Sequence, residues 1–178
     1  MNFRHYTKND SRSVSRFFES VFSDSEGETE GALIGRLAKD LFEKTDERDL
    51  FNFIAEIDGQ IVGSIFFSRL WFEDCEPAFI LAPVAVHSGH QRKGIGQALI
   101  RHGLKTLRDK GVSVALTYGA PDFYSKVGFR AISHEIVRAP FELSQPEGWL
   151  GQSLVGNSIE CLAGACTCVE AFKEPAYW

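Results

Sequence analysis

No run of this chain approaches the roughly 20 consecutive apolar residues that a bilayer-spanning helix needs, so no membrane role is expected. From Met1 to Asp10 the chain is polar and mixed in charge, which is not the pattern of a secretory leader. The expected compartment is therefore the cytoplasm, where disulfides are rare. Cysteine is scarce and badly spaced for a metal. Cys75, Cys161, Cys166 and Cys168 form no C-x-x-C pair and have no histidine cluster beside them. Cys166 and Cys168 alternate in an apolar stretch and read as small buried side chains on one strand face. An excess of positive charge is also missing. With a net charge of −5 and a pI near 5.5, the chain lacks the electrostatic footprint of a nucleic-acid binder. Repeats, low-complexity tracts and linkers are absent too, so residues 1–178 read as a single domain.

What is present is an ordinary globular composition, 44% hydrophobic and 24% charged, in a chain long enough to bury a core. Residues 2–6 read as a short first strand. Asp10-Ser11 is a plausible cap for a helix carrying Val14, Phe17, Phe18, Val21 and Phe22 on one side. The polar, acidic stretch 23–31 reads as a loop before a second helix with Leu33, Ile34, Leu37, Leu41 and Phe42 at helical spacing. Two apolar runs, 50–57 and 61–70, flank Asp58-Gly59, the strongest short hairpin signal in the chain. An apolar strand over 78–86, a helix with Ile95, Leu99, Gly103 and Leu107 on one face, and an apolar run over 112–117 read as a parallel pair with a helical crossover. Residues 141–157 contain Gly and Pro and read as an excursion or loop. The fold class expected is α/β with a mixed sheet.

The junction after the 78–86 strand carries the most chemistry. It reads I-L-A-P-V-A-V-H-S-G-H-Q-R-K-G-I-G-Q-A-L from Ile80. A strand ends, a short basic and glycine-rich loop follows, and a helix begins at once. Several unpaired N–H groups and the positive end of a helix dipole then face one small volume. That volume suits a phosphate or pyrophosphate. A dinucleotide fingerprint does not fit, because its third glycine position is Leu99. A Walker loop does not fit either, because Gly96 is followed by Gln97-Ala98 rather than Lys and Ser or Thr.

The pattern Q-x-x-G-x-G after V-A-V does resemble a known signature. It is similar to the acetyl-CoA-binding segment of the GNAT superfamily of N-acetyltransferases. P-D-F-Y-S-K-V-G-F, from Pro121 to Phe129, resembles that superfamily's Y-x-K-x-G-F segment. Pro83, with the link Gly119-Ala120-Pro121 before Phe123-Tyr124, looks most like the YhbS-like subgroup of bacterial acetyltransferases. The resemblance covers the central third of the chain, about 78–130. It implies a mostly antiparallel sheet flanked by helices, with a splayed parallel strand pair holding CoA. Pro83 also has a local reading, since a residue without an N–H marks a bulge or an edge.

The resemblance implies acetyl transfer from acetyl-CoA to an amine of a small molecule or peptide. The backbone of Val84, Ala85 and Val86 would pair with the pantetheine arm like an added strand. Gln91, Arg92, Lys93, Gly94, Ile95, Gly96 and Gln97 would hold the pyrophosphate. Tyr124 matches the tyrosine that protonates the departing thiolate, and backbone N–H groups near Ala85 and Val86 would serve the oxyanion. Candidates for the base that takes the amine proton are Glu73 and Glu76, with Asp74 between them. His87 reads as orienting the loop. Thr117 departs from the family pattern, where an asparagine stands seven residues before the tyrosine. The acceptor is expected to meet the two N-terminal helices, the 72–76 loop and the 141–155 segment, where Trp71, Phe72 and Trp149 stand near acidic residues. A Tyr177-Trp178 pair, if exposed, suits a homodimer interface. Two other readings stay open at this level: an acyltransferase using another acyl-CoA, and a CoA-binding sensor without turnover.

Overall fold

A computed structural model describes residues 1–73, 78–160, 162 and 164–178. Its elements are β1 (Asn2–His5), α1 (Ser11–Glu26), α2 (Glu28–Lys44), β2 (Leu50–Ile57), β3 (Gln60–Trp71), β4 (Ala78–Val86) and α3 (Ile95–Asp109). They continue with β5 (Val114–Tyr118), α4 (Pro121–Tyr124), β6 (Arg130–Ala131), β7 (Trp149–Ser153) and β8 (Thr167–Cys168). The sheet runs β1-β2-β3-β4-β5-β7-β6, and β8 lies off that path, pairing with the last two residues of β3. Among these strands β4 and β5 form the parallel pair, with α3 as the crossover between them. The mixed, mostly antiparallel sheet expected from the sequence is the one observed. Asp58 and Gly59 both have positive φ, 50° and 76°, as the tight turn between β2 and β3 requires.

Alternation along the strands divides the core into two faces. Leu50, Ile54, Phe66 and Ile80 point to one side, under Val14 and Phe18 of α1 and Leu37 and Leu41 of α2. Phe53, Ile65, Phe67, Phe79 and Leu81 point to the other, under Ile95, Leu99, Leu104 and Leu107 of α3. Gly103 lets α3 lie close to the sheet, because a Cβ there would come within 2.5 Å of the Phe67 ring. Each large side chain so buried contributes about 1.5–3 kcal/mol.

Three expectations need correction. The stretch 23–31 is not a loop: α1 continues to Glu26 and α2 starts at Glu28, with Gly27 alone between them at φ 98°. The polar residues there occupy helix ends, and the helices stay close because Gly31 and Gly35 face α1 without side chains. A Cβ on Gly31 would sit 2.6 Å from the Glu19 carbonyl oxygen. Second, the 141–157 segment contains β7, which pairs with β5 on one side and β6 on the other. Sheet neighbours on both sides, rather than local periodicity, make it a strand. Third, Trp178 is not exposed. It is 6% accessible, and its Nε1–H donates to the Phe172 carbonyl at 2.9 Å. The basis for a dimer interface there is lost.

Cys166 and Cys168 are buried, and burial holds their thiols neutral, pushed up to about 12 and about 11. Cys75 and Cys161 lie outside the described residues. No helix among the described residues is long and apolar enough to cross a membrane.

β1 is tied down by charge. The Arg4 guanidinium donates to both Asp10 carboxylate oxygens at 2.8 Å and to Glu56 at 2.7 Å. The bond from Arg4 holds the Asp10 carboxyl well below the usual carboxylate range, helped by Thr7. A depressed folded-state value stabilises the fold at pH above the unfolded carboxyl value of about 4, and this contribution is lost as pH falls through the folded value. Asp10→Asn is therefore expected to cost on the order of 1 kcal/mol at neutral pH. The variant should also lose less further stability than wild type below about pH 4. Urea melts from pH 7 to 2 measure both. Parallel pH curves for the two proteins would remove Asp10 from the acid response.

Candidate active site

The site begins where β4 and β5 part. They pair at Phe79–Ala115, Ile80–Leu116 and Leu81–Thr117, and no further. β4 is diverted at the next two residues. Against β3, Leu81 faces Phe67 and Val84 faces Ile65, so Ala82 and Pro83 together oppose one residue, Phe66. That is a bulge, and the Ala82–Pro83 peptide in it is cis. Pro83 has no N–H to extend the ladder to β5. The last paired carbonyl, of Leu81, accepts the Thr117 hydroxyl at 2.8 Å. Beyond this point β5 ends at Tyr118, and the chain turns through Gly119 and Ala120 into α4.

A cavity of about 820 Å³ fills the gap. On the α3 side its wall is the loop after β4. Gln91 is not free to reach a ligand with its side chain, since its Nε2–H donates to the Val86 carbonyl at 3.1 Å and clips the loop to the strand end. His87 Nδ1 accepts the Gly89 N–H at 3.1 Å, the loop-orienting part expected of it. Arg92 and Gly94 have φ of 58° and 79°. Gly94 caps α3 without a side chain, so the first N–H groups of the helix keep no capping partner. Gly96 faces Val86 and Phe123, and a Cβ there would approach them to 3.2 and 3.4 Å.

Val84, Val86, Gln91, Arg92, Gly94, Ile95, Gly96 and Gln97 all line the cavity, joined by His90 and Lys126. Two expected residues do not line it. Ala85 is buried in the core beneath α1 and α2, and the Lys93 ammonium is drawn back to the Gly89 carbonyl at 2.8 Å. Tyr124 does line the cavity, at 9% accessibility, with its ring edge-on to Phe123 and Phe129. Burial raises its phenol above the ordinary value, and a hydrogen bond with Thr117 partly opposes the rise. Gly119 makes room for that ring, because a Cβ there would lie 2.8 Å from it.

The opposite wall includes the two N-terminal helices, as expected, but its carboxylates are not the expected ones. Its carboxylates are Glu26 and Glu30, at the facing ends of α1 and α2, with Phe22, Ile34 and Leu37 beside them. Glu73 instead stands against Gly164, away from the lining residues. Asp74 and Glu76 lie outside the described residues. Trp149 is a core residue whose Nε1–H donates to the Val137 carbonyl, and no residue of 141–155 lines the cavity. Phe172, Ala176 and Tyr177 do. Sequence reasoning missed Glu26 and Glu30 because their stretch read as a loop. Their i, i+4 spacing across Gly27 was the available signal. Nothing local marked Phe172 or Tyr177. Among the described residues no group of three or more His, Cys, Asp or Glu is placed to hold a metal ion.

Comparison with known proteins agrees with this geometry. A model of the acetyltransferase (GNAT) family matches residues 14–129. The uncharacterized N-acetyltransferase YjhQ of Escherichia coli K12 is 30% identical over 140 residues, 75% of this chain and 77% of YjhQ. YhbS, another uncharacterized N-acetyltransferase of that organism, is 29% identical over 82 residues, 46% of this chain and 49% of YhbS. The crystal structure of Escherichia coli YhbS in complex with CoA shares the fold at a TM-score of 0.78 and 22% identity, covering 97% of this chain and 92% of that one. A GNAT family acetyltransferase from Brucella melitensis, in complex with acetyl-CoA, does so at 0.71 and 24% identity, covering 97% of each chain.

Proposed function

This chain belongs to the acetyltransferase (GNAT) family, and we propose that its cavity seats acetyl-CoA across the β4–β5 gap and passes the acetyl group directly to an amine. It is an acetyl-CoA-dependent N-acetyltransferase. The observation that carries the residue-level reading is the gap itself, which opens at Pro83 and ends on a glycine-lined helix start.

The pyrophosphate meets the free N–H groups of Ile95, Gly96 and Gln97, with Arg92 adding positive charge. The pantetheine arm then lies along Val84 to Val86, which brings the thioester to the bulge. A neutral amine attacks the carbonyl carbon and forms a tetrahedral intermediate. Its oxyanion is held by backbone N–H groups of the bulged strand. The intermediate collapses by breaking the C–S bond: Tyr124 gives its proton to the sulfur, and the nitrogen, on becoming an amide, sheds its extra proton, which through water restores the phenol. A raised phenol suits this role, since the group stays protonated throughout the neutral range.

Before attack the acceptor must lose a proton. Glu26 and Glu30 are the carboxylates that line the cavity on the acceptor side, and we assign them the attraction of the ammonium form and the uptake of its proton, directly or through water. Glu73 has less support for that task because it does not line the cavity, and Glu76 lies outside the described residues. Cys166 and Cys168 are free cysteines, which is compatible with a reducing compartment such as the cytoplasm.

Incubation with acetyl-CoA and a panel of primary amines, read by mass spectrometry, tests the reading. The expected result is a product heavier by one acetyl group, with CoA released in equal amount. A panel of other acyl-CoA donors fixes the donor. Tight CoA binding with no turnover on any amine would favour a sensor and overturn the catalytic assignments.

A further inference from the structure

We propose that residues 169–178, the segment following β8, form the specificity wall for the acceptor, and that Tyr177 and Phe172 receive a flat apolar group attached to the amine. The proposal rests on the acetyl-CoA seat described above. The segment crosses α2 on the sheet face opposite α3 and places Phe172, Ala176 and Tyr177 on the cavity. The pyrophosphate end of the donor is committed to the α3 face. This wall is therefore left to the other reactant.

The wall is built to stay in place. Trp178 is buried, with its ring against Phe141, Trp149 and Phe172 and its Nε1–H on the Phe172 carbonyl. Its backbone N–H donates to the Pro175 carbonyl at 3.1 Å, and that of Tyr177 to Glu174 at 3.1 Å. Arg36 of α2 holds the far side, with bonds of 3.0 and 3.2 Å to the Glu174 carboxylate, and its charge opposes part of the rise that burial gives the Tyr177 phenol. The Tyr177 and Phe172 rings meet edge-on at 6.0 Å. With Arg36 and Glu174 on its far side, Tyr177 offers its ring to the cavity. Aromatic walls fixed in advance bind flat apolar groups without an ordering cost. Phe22 and Ile34 line the same cavity from α1 and α2. A small hydrophilic amine would leave these surfaces unused. The acceptor class that fits is a primary amine on an aryl or arylalkyl body.

The test needs no natural acceptor. Two CoA thioethers are compared, each carrying S–CH2–C(O)–NH–R, with R either 2-phenylethyl or methyl. Calorimetry on the full chain is expected to show the phenylethyl conjugate binding about tenfold more tightly than the methyl one. Tyr177→Ala should bring the ratio to about one, and Tyr177→Phe, which keeps the ring, should retain most of it. CoA itself should bind all three proteins equally, which separates a lost wall from a damaged fold. A ratio near one in wild type, or an unchanged ratio in Tyr177→Ala, overturns the proposal. If wild type binds the conjugates and CoA not at all, the acetyl-CoA seat has failed and the wall falls with it.

Discussion

Tyr124→Phe is expected to lower kcat by about 100-fold or more while acetyl-CoA affinity stays within a factor of about two. The substitution removes one hydroxyl from a ring that is otherwise packed between Phe123 and Phe129, so the fold loses little. It strands no donor either. The Thr117 hydroxyl, the partner of the phenol, already donates to the Leu81 carbonyl at 2.8 Å. What disappears is the proton for the departing thiolate. The pH profile supplies a second reading. Burial raises the phenol, so its acid form persists to higher pH than in water, and any fall in kcat from its deprotonation lies above about pH 10. The Phe variant should lack that alkaline limb. An unchanged kcat would remove Tyr124 from the chemistry and leave it a packing residue.

The second large effect concerns the donor. Gly96→Leu is expected to weaken acetyl-CoA binding about 30-fold, which corresponds to about 2 kcal/mol. Gly96 stands in the first turn of α3 and lines the cavity, and even a Cβ would press on Val86 and Phe123 at 3.2 and 3.4 Å. A leucine must therefore project into the volume where the pyrophosphate approaches the backbone, and it screens the N–H groups that would hold it. Helix propensity rises in the exchange, so the variant stays folded. Titration with CoA should show the loss, and circular dichroism should show unchanged helix. Affinity equal to wild type would mean that the anion does not sit at this helix start.

Both predictions concern residues that the sequence had already singled out, and the reason is local. A glycine-rich turn between a strand and a helix is defined by a few consecutive residues. Gln91 through Gln97 therefore announced a candidate anion seat without any knowledge of their surroundings. Pro83 announced a break in the ladder in the same way, and the bulge at Ala82 and Pro83 is where it fell. The hairpin at Asp58-Gly59 and the amphipathic face of α3 were equally legible, because turn chemistry and helical period act over short distances.

The acceptor side was legible only as far as the two N-terminal helices; which of their side chains face the cavity was not, and here the controlling distances are long. Glu26 and Glu30 belong to a polar stretch whose composition is that of a loop. It is helical because Gly31 and Gly35 let α2 press against α1. Only that close crossing aims the two carboxylates at a gap between strands more than 50 residues further on. Glu73 fits the expected chemistry as well as they do, yet its turn places it beside Gly164. Tyr177 is farther still from the donor loop in sequence and reaches the cavity only because Trp178 and Arg36 fasten its segment across α2.

The sequence by itself determined strands β1 to β5, the candidate anion-binding turn and the candidate acid Tyr124, since each follows from residue type and short spacing. The tertiary structure alone decided which carboxylates and which aromatic rings face the cavity. Those side chains come from elements that meet only when the two faces of the sheet are packed, and burial against distant partners, not local pattern, sets where they point.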